Sequence, residues 1–456
     1  MNSGNKATEL HPLLRGFILQ RSVGRMTKKP KPPNEKTDEG TERESRTMWR
    51  EIALALLVLL HQFAVILTFL FLPALSGAQT LPTTPGWYEI PNTTLRGVCS
   101  TEPSIQGATG CNSVIAAWGS GVLDTTRNRL IMWGGGHNNY YGNELYALNL
   151  DTLTVTRITD PGLPAAPYSC TPGTQDCVSK SIPNMGCMES VTNFTQPNSR
   201  HPYDGIEYMP NADRMFVFSG ALACGSGDFS LTTWTFDFAS ETWTRMNPLG
   251  PQPIGDAGML TAYDPNTGLI FLHDRRNLFS YNFQANTYTK LGGVPPGGFF
   301  GYYGLTAAID PKRKLFVIIG PDARDGLPHT YTIDISSGGT YAVVDRTTTG
   351  DTAITDTGYP GIDYDPVSDR MVAWNGGDTV YSLNLDTNQW SSVTYSGGQS
   401  VADPNGGTNG RWRYSPALGV FVVVNSVDLN ASVFRLTSAG GTPPSLPTPP
   451  ASLQVR

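Results

Sequence analysis

The sequence predicts an all-β protein arranged as a six-bladed β-propeller. After residue 80 one unit recurs six times, in which an apolar strand follows a tight turn rich in Asp, Pro, Asn and Gly, residues that supply turn dihedrals. Four-stranded units repeated every 40 to 50 residues or so are typical of propellers, because radial repetition leaves only short, protected sheet edges. The last unit lacks a fourth strand, which an earlier segment can supply.

Each unit contains the same succession of strands. The apolar strand after the turn is predicted at 130–133, 215–218, 269–272, 315–319, 371–374 and 420–424. An alternating strand follows, and its period of two and β-branched content indicate β structure. Aromatic residues mark it at Tyr146, Trp234, Phe279, Tyr331, Tyr381 and Phe434. A fourth strand is marked by Val155, Trp243, Tyr288, Tyr341 and Trp390.

The sixth unit stops at Arg435-Leu436 without a fourth strand. The segment 86–91 near the start of the repeats has the same aromatic and alternating character and no partner of its own. We therefore expect this N-terminal strand to complete the last blade and close the ring.

The repeats resemble the kelch and galactose-oxidase-like propellers. The resemblance rests on Gly135-Gly136 followed by Tyr146, and on Gly376-Gly377 followed by Tyr381 and Trp390. In three other units Ser219-Gly220, His273-Asp274 and Ile319-Gly320 stand in place of the double glycine. The resemblance implies the fold and carries little information about function, because this fold serves many activities.

The N-terminal region predicts export of the repeats. Residues 1–51 form a polar, basic tail with the composition of disorder. Residues 52–78, which contain an apolar run at 52–75, are predicted to be a hydrophobic helix, either a signal peptide or a signal-anchor transmembrane helix. Lys and Arg number eleven in residues 1–50, and only Arg96 follows within about twenty residues of the run, which places the domain outside the cytoplasm.

The predicted organisation is therefore a propeller at 79–438, secreted or attached to a membrane if the helix is uncleaved, with a Pro-rich tail at 439–456. An insertion at 159–198 separates the first two units. All six cysteines follow the apolar run, which favours disulfides. Cys99 and Cys111 form the natural local pair, and Cys170, Cys177, Cys187 and Cys224 are expected to form two more bonds that tie the insertion to the ring, with their pairing left open.

Charge makes nucleic acid an improbable partner. Residues 1–50 hold eleven basic and six acidic residues, which leaves 21 basic and 32 acidic residues in 51–456, a formal charge of −11. A body of that sign repels phosphate backbones. We expect a monomer whose partner is an extracellular polysaccharide or glycan.

The loops that carry unusual residues are predicted to lie on one face, where the second strand leads to the third and one blade leads to the next. Three of the four histidines in the exported domain, His137, His201 and His273, come from consecutive units and fall in these loops. Arginines accompany them, and arginines can hold carboxylates in bidentate fashion while aromatic rings offer flat faces to sugars. The predicted substrate contacts are Tyr140, Asn143, His273, Arg275, Tyr302, Tyr303, Arg411 and Trp412.

The run from Arg200 to Asp204 suggests a reaction. β-Elimination from a uronate needs a His to remove a proton, a Tyr to return one and an Arg to neutralise a carboxylate. In residue types and fold this combination is similar to the propeller-fold polysaccharide lyases. The predicted catalytic residues are therefore His137, Arg200, His201 and Tyr203, and no cofactor is expected.

Three alternatives stand beside the lyase hypothesis. The histidines could hold zinc or copper, although no two of them are closely spaced in sequence and the copper ligands of galactose oxidase have no recognisable counterpart. Glycoside hydrolysis needs two carboxyl groups, and the candidates are Asp204, Asp256, Asp274, Asp322 and Asp363. The third alternative is a non-catalytic propeller that binds an extracellular glycan or protein.

Overall fold

The computed structural model describes residues 48–62 and 81–438, except 104, 106, 163–168, 183–184, 225–226 and 401–405. The chain divides into two units, Met1–Gly77 and Ala78–Arg456. In the first unit residues 48–62 are helical. Across the described residues no helix is both long enough and apolar enough to span a membrane. Much of the apolar run predicted at 52–75 lies outside the described residues, as do the tail at 439–456 and residues 1–47 of the predicted N-terminal tail, whose last residues, 48–51, are helical.

The second unit is built from antiparallel sheets, which confirms the all-β prediction. Within the described residues six sheets have four or five strands. Sheet one contains Ser120–Asp124, Arg129–Trp133, Tyr146–Asn149 and Thr154–Arg157. Sheet two contains Ile206–Met209, Arg214–Phe218, Thr233–Asp237 and Thr242–Met246, and sheet three contains Leu260–Asp264, Leu269–His273, Leu278–Asn282 and Thr287–Gly292.

The remaining three large sheets follow the same plan. Sheet four contains Thr306–Asp310, Leu315–Asp322, Leu327–Asp334 and Val343–Asp345. Sheet five contains Gly361–Asp365, Arg370–Trp374, Thr379–Asn384 and Gln389–Thr394, with Thr349–Gly350 added in parallel. Sheet six contains Arg413–Ser415, Val420–Val423 and Ser432–Arg435, and its fourth strand is Gly86–Glu89, which pairs with Ser432–Arg435. The strand from the start of the domain therefore completes the sheet at its end.

The apolar core lies between the sheets. Buried clusters fill the spaces between sheets one and two, two and three, three and four, four and five, and five and six. A further cluster packs sheet six against sheet one. The first strands of consecutive sheets contact one another, and those of sheets six and one do so as well. The six sheets thus form a closed cycle with their first strands innermost.

The turns after the first strands are stabilised by their aspartates. The Asp124, Asp264, Asp310 and Asp365 carboxylates each accept a hydrogen bond from the backbone N–H two residues later, at 2.9–3.1 Å. Such turns reproduce a backbone turn with a side chain. We call the end of the cycle that carries these turns the turn end, and the opposite end, where the chain enters the first strands, the loop end.

The six cysteines form three disulfides, as expected for a domain that folds in an oxidising compartment. Cys99 pairs with Cys111 as predicted, Cys170 with Cys177, and Cys187 with Cys224. The insertion folds as small sheets, including Ser169–Cys170, Cys177–Ile182 and Met185–Met188. The Cys187–Cys224 bond joins it to the loop that follows the second strand of sheet two.

Candidate functional site

Left-handed backbone conformations recur at the loop end. In each large sheet a residue two to four positions before the first strand has a positive φ, between 49° and 101°. Gly258 and Gly304 occupy two of these positions, and non-glycine residues occupy the other four, Trp118, Tyr203, Tyr359 and Asn409. A left-handed L-residue costs roughly 1–2 kcal/mol, and such strain tends to persist at functional sites.

Hydrogen bonds link these positions from one sheet to the next. The Tyr203 N–H donates to the Trp118 carbonyl at 3.1 Å, the Tyr359 N–H to the Gly304 carbonyl at 2.8 Å, and the Asn409 N–H to the Tyr359 carbonyl at 3.1 Å. The left-handed conformation lets each entering segment reach its neighbour. Side chains from different sheets consequently meet at the loop end.

Five aromatic and imidazole side chains form what we call the loop-end cluster, Trp118, His137, His201, Tyr203 and Tyr359. The ring centroids of His137 and His201 are 6.0 Å apart, and those of His201 and Tyr203 are 6.2 Å apart. Trp118 lies 4.9 Å from His201, and Tyr359 lies 6.2 Å from Tyr203. Three of the four residues predicted to be catalytic are thus neighbours.

The glycines before His137 allow this arrangement. Gly136 has φ 79°, and a Cβ atom there would lie 2.4 Å from the backbone of Arg200 and His201. A Cβ at Gly135, where φ is 137°, would lie 2.4 Å from the Ser199 hydroxyl. The loop therefore lies directly against the Arg200–His201 strand, which brings the two imidazoles together.

His201 is held as a neutral imidazole. Burial, with a smaller contribution from His137, lowers its pKa to about 3. Its Nε2 lies 2.9 Å from the Asn139 side-chain oxygen, so Nε2 carries the proton and Nδ1 carries the lone pair. No described residue forms a hydrogen bond to Nδ1. The lone pair is therefore available to accept a proton.

Tyr203 is a protonated phenol at neutral pH. Burial raises its pKa, and the nearby Tyr303 and Asp256 raise it further. Tyr302 and Tyr303 are half exposed, at 50% and 49%. The buried Arg275 guanidinium lies 3.6 Å from the Tyr302 ring centroid and donates to the Asp256 carboxylate at 2.5 and 3.2 Å. The site thus extends from the histidines to an accessible pair of tyrosine rings.

Two of the arginines predicted to contact substrate form hydrogen bonds within the protein instead. Arg200 is fully buried and donates to the carbonyls of Asn198, Ser219 and Glu189, and burial lowers its pKa to about 10. Arg411 is also fully buried, donating to four oxygens of neighbouring loops and strands, and burial lowers its pKa to about 9. Both guanidiniums are occupied by the protein itself.

Four other predicted contacts also lie in the interior. Trp412 stacks on Phe421 with centroids 4.7 Å apart. The Tyr140 hydroxyl donates to Glu144 at 2.5 Å, and the Asn143 side chain binds Pro197 O and Gly162 N. His273 ends the second strand of sheet three rather than lying in a loop. It is fully buried, its Nε2 lies 2.7 Å from Gly293 O, and burial lowers its pKa to about 4.

Trp118, Asn139 and Tyr359 belong to the site and were not predicted from the sequence. Aligning the six entering segments at their first strands would have found Trp118 and Tyr359, because both occupy the position of Tyr203. Neither Trp118 Nε1 nor the Tyr359 hydroxyl forms a hydrogen bond of ordinary geometry. Burial raises the pKa of Tyr359, and the neighbouring Trp118 side chain acts in the opposite direction. Within the described part of the chain no three His, Cys, Asp or Glu side chains are grouped as metal ligands.

Comparisons with known proteins leave the family open. No family model matches the chain. A solved structure titled "Structure of YjhT" is similar, with a TM-score of 0.44 and 11% sequence identity, covering 72% of this chain and 95% of that chain. This similarity is too low to assign a family or an activity.

Proposed function

We propose that the chain is an exported six-bladed, kelch-like β-propeller that cleaves uronate-containing polysaccharide by β-elimination at the loop end. The closed cycle of six sheets, with the Gly86–Glu89 strand completing the last one, supports the architecture. The three disulfides support an oxidising compartment. Attachment through the N-terminal segment remains part of the proposal if that segment is uncleaved.

The observation that carries the catalytic proposal is the contact of two histidines and a tyrosine on strained backbone. His137 and Tyr203 both have positive φ, 42° and 52°, and His201 lies between their rings. Strained backbone at bulky residues persists only where the surrounding structure enforces it. Here the strained backbone holds His137 and Tyr203 against His201, so that the proposed base and the proposed proton donor are neighbours.

In the proposed reaction His201 Nδ1 removes the proton from C5 of the uronate. The C5–H electrons form the C4–C5 double bond, the bond from C4 to the glycosidic oxygen breaks, and the Tyr203 hydroxyl protonates the departing oxygen. A low pKa makes His201 a weak base in the free protein. A uronate carboxylate bound beside the ring would raise that pKa, because an opposite charge favours the imidazolium.

The substrate carboxylate needs a partner other than Arg200, whose guanidinium is occupied. The side-chain nitrogen of Asn139, Nδ2, forms a hydrogen bond to no described residue, and His137 lies beside His201. We assign these two side chains to the carboxylate. Tyr302 and Tyr303 are assigned to the neighbouring sugar rings, since flat aromatic faces pack against apolar sugar faces.

The test is an incubation of the full-length chain with a panel of uronate polysaccharides, followed by the ultraviolet absorbance of unsaturated products. His201→Gln retains a donor for Asn139 and removes the base, so we expect the signal to fall by roughly 10²–10⁴-fold. His329→Gln is the matched control, because His329 stacks on Tyr331 and binds Asp325 and Asp345 away from the cluster. An unchanged rate in His201→Gln would overturn the assignment.

A non-catalytic glycan-binding propeller is the second candidate. The adjacent Tyr302 and Tyr303 rings, with centroids 6.2 Å apart and half exposed, favour it. This candidate predicts polysaccharide binding without product, weakened by Tyr302→Ala and unaffected by His201→Gln. Binding and product formation measured on the same panel therefore separate the two functions.

A further inference from the structure

A cavity lies at the turn end, away from the loop-end cluster. It has a volume of about 300 Å³ and is lined by residues from all six large sheets, which places it on the axis of the cycle. Volumes of this order suit a small organic ligand. The proposed reaction uses none of its lining residues.

Tyrosines and prolines form the wall of the cavity. The lining tyrosines are Tyr208, Tyr263, Tyr364 and Tyr414, and the lining prolines are Pro210, Pro265, Pro311, Pro366 and Pro416. Tyr208 and Tyr364 donate their hydroxyls to Asp213 and Asp369 at 2.9 and 2.8 Å. Because these two hydroxyls are bound to the turns, Tyr208 and Tyr364 contribute their aromatic rings to the wall.

Charged side chains form the inner end of the cavity. Glu207, Asp363 and Arg413 line it, and Arg413 donates to Glu207 at 3.1 Å. Asp204 interacts electrostatically with both Arg413 and Glu207. Three carboxyl groups thus share one guanidinium. Burial raises the pKa of Glu207 to about 7 against the opposing effect of Arg413, and a second cation bound beside this group would favour its ionised form.

We propose that the turn-end cavity binds a small organic cation, a primary or quaternary ammonium group on an apolar body. Tyrosine rings attract cations through their π faces, and the excess of carboxyl groups attracts positive charge at the inner end. An anion of the same shape would meet the same carboxyl groups and be repelled. The site is independent of the loop-end reaction.

The test uses benzyltrimethylammonium as the probe, titrated calorimetrically into the full-length chain, with benzyl alcohol and phenylacetate as neutral and anionic comparisons. We expect saturable binding of the cation, at least tenfold tighter than either comparison. Glu207→Gln should weaken binding of the cation by tenfold or more. Equal binding of the three probes, tighter binding of phenylacetate, or no saturable binding of the cation would overturn the proposal.

A surface variant tests the site without disturbing the interior. Ala417 is an exposed turn residue that lines the cavity, and Ala417→Arg places bulk and positive charge there. It should abolish cation binding, whereas Ala285→Arg, at an exposed turn outside the cavity lining, should leave it unchanged. Unaltered binding in Ala417→Arg would place the cation elsewhere and refute the site.

Discussion

Replacing Glu207 by Gln tests whether burial or ion pairing dominates at the centre of the fold. Glu207 is 5% exposed, and its carboxylate accepts a hydrogen bond from Arg413 at 3.1 Å. Burial raises its pKa from 4.5 to about 7, although Arg413 acts in the opposite direction. The folded protein therefore binds this proton more tightly than the unfolded chain does.

The sign and size of the effect follow from that pKa difference. A carboxyl group with a raised pKa in the folded state contributes stability below pH 4.5 that is lost as the pH rises toward 7. The shift corresponds to about 3 kcal/mol in total, most of which is lost between pH 5 and pH 8. Glutamine resembles the protonated acid and cannot ionise, so the stability of Glu207→Gln does not fall with pH through this group.

The assay is urea unfolding of both proteins at pH 5 and pH 8. The free energy of unfolding of Glu207→Gln, relative to the original protein, should rise by roughly 2–3 kcal/mol between these two pH values. Asp204 and Asp363 titrate in both proteins, and their electrostatic coupling to Glu207 is part of the measured difference. Glu241→Gln, at an exposed turn, controls for the loss of one negative charge. A relative stability that falls with pH would show that the attraction of Arg413 outweighs burial.

Two further predictions concern the support of the loop end. In urea unfolding, Gly136→Ala should lower the free energy of unfolding by about 2 kcal/mol more than Gly338→Ala does. Both glycines have positive φ, but only Gly136 lies against neighbouring backbone. Equal losses in the two variants would show that this close approach is unimportant. Replacing Cys187 and Cys224 by Ser together should cost about 4 kcal/mol in the same assay, from the 37-residue separation that the bond closes, and a loss below about 1 kcal/mol would contradict this.

The strands could be predicted from the sequence because their signals are local. An Asp-containing turn followed by an apolar strand predicted, for example, the strand at 269–272, which the structure extends to His273. The absence of a fourth strand after Phe434 likewise pointed to the segment 86–91, whose residues Gly86–Glu89 pair there. Turn dihedrals and alternating burial depend on neighbouring residues in the chain, so both can be predicted from the sequence alone.

The site could be predicted only in part, because side-chain direction depends on distant contacts. Arg200 and His201 are consecutive in a short strand, so their side chains point to opposite faces. The sequence showed both as candidates, whereas the structure presents His201 to the cluster and buries Arg200 on backbone carbonyls. The position shared by Trp118, Tyr203 and Tyr359 can be read from the sequence only when the six units are aligned at their first strands.

The most direct test of the loop-end reaction is the steady-state kinetics of Tyr203→Phe beside Tyr303→Phe on the polysaccharide that gives product. Tyr203→Phe removes the proposed proton donor, so kcat should fall by roughly 10²–10⁴-fold with little change in KM. Tyr303→Phe keeps its ring and should retain most of kcat. A Tyr203→Phe protein with unchanged kcat would contradict the account.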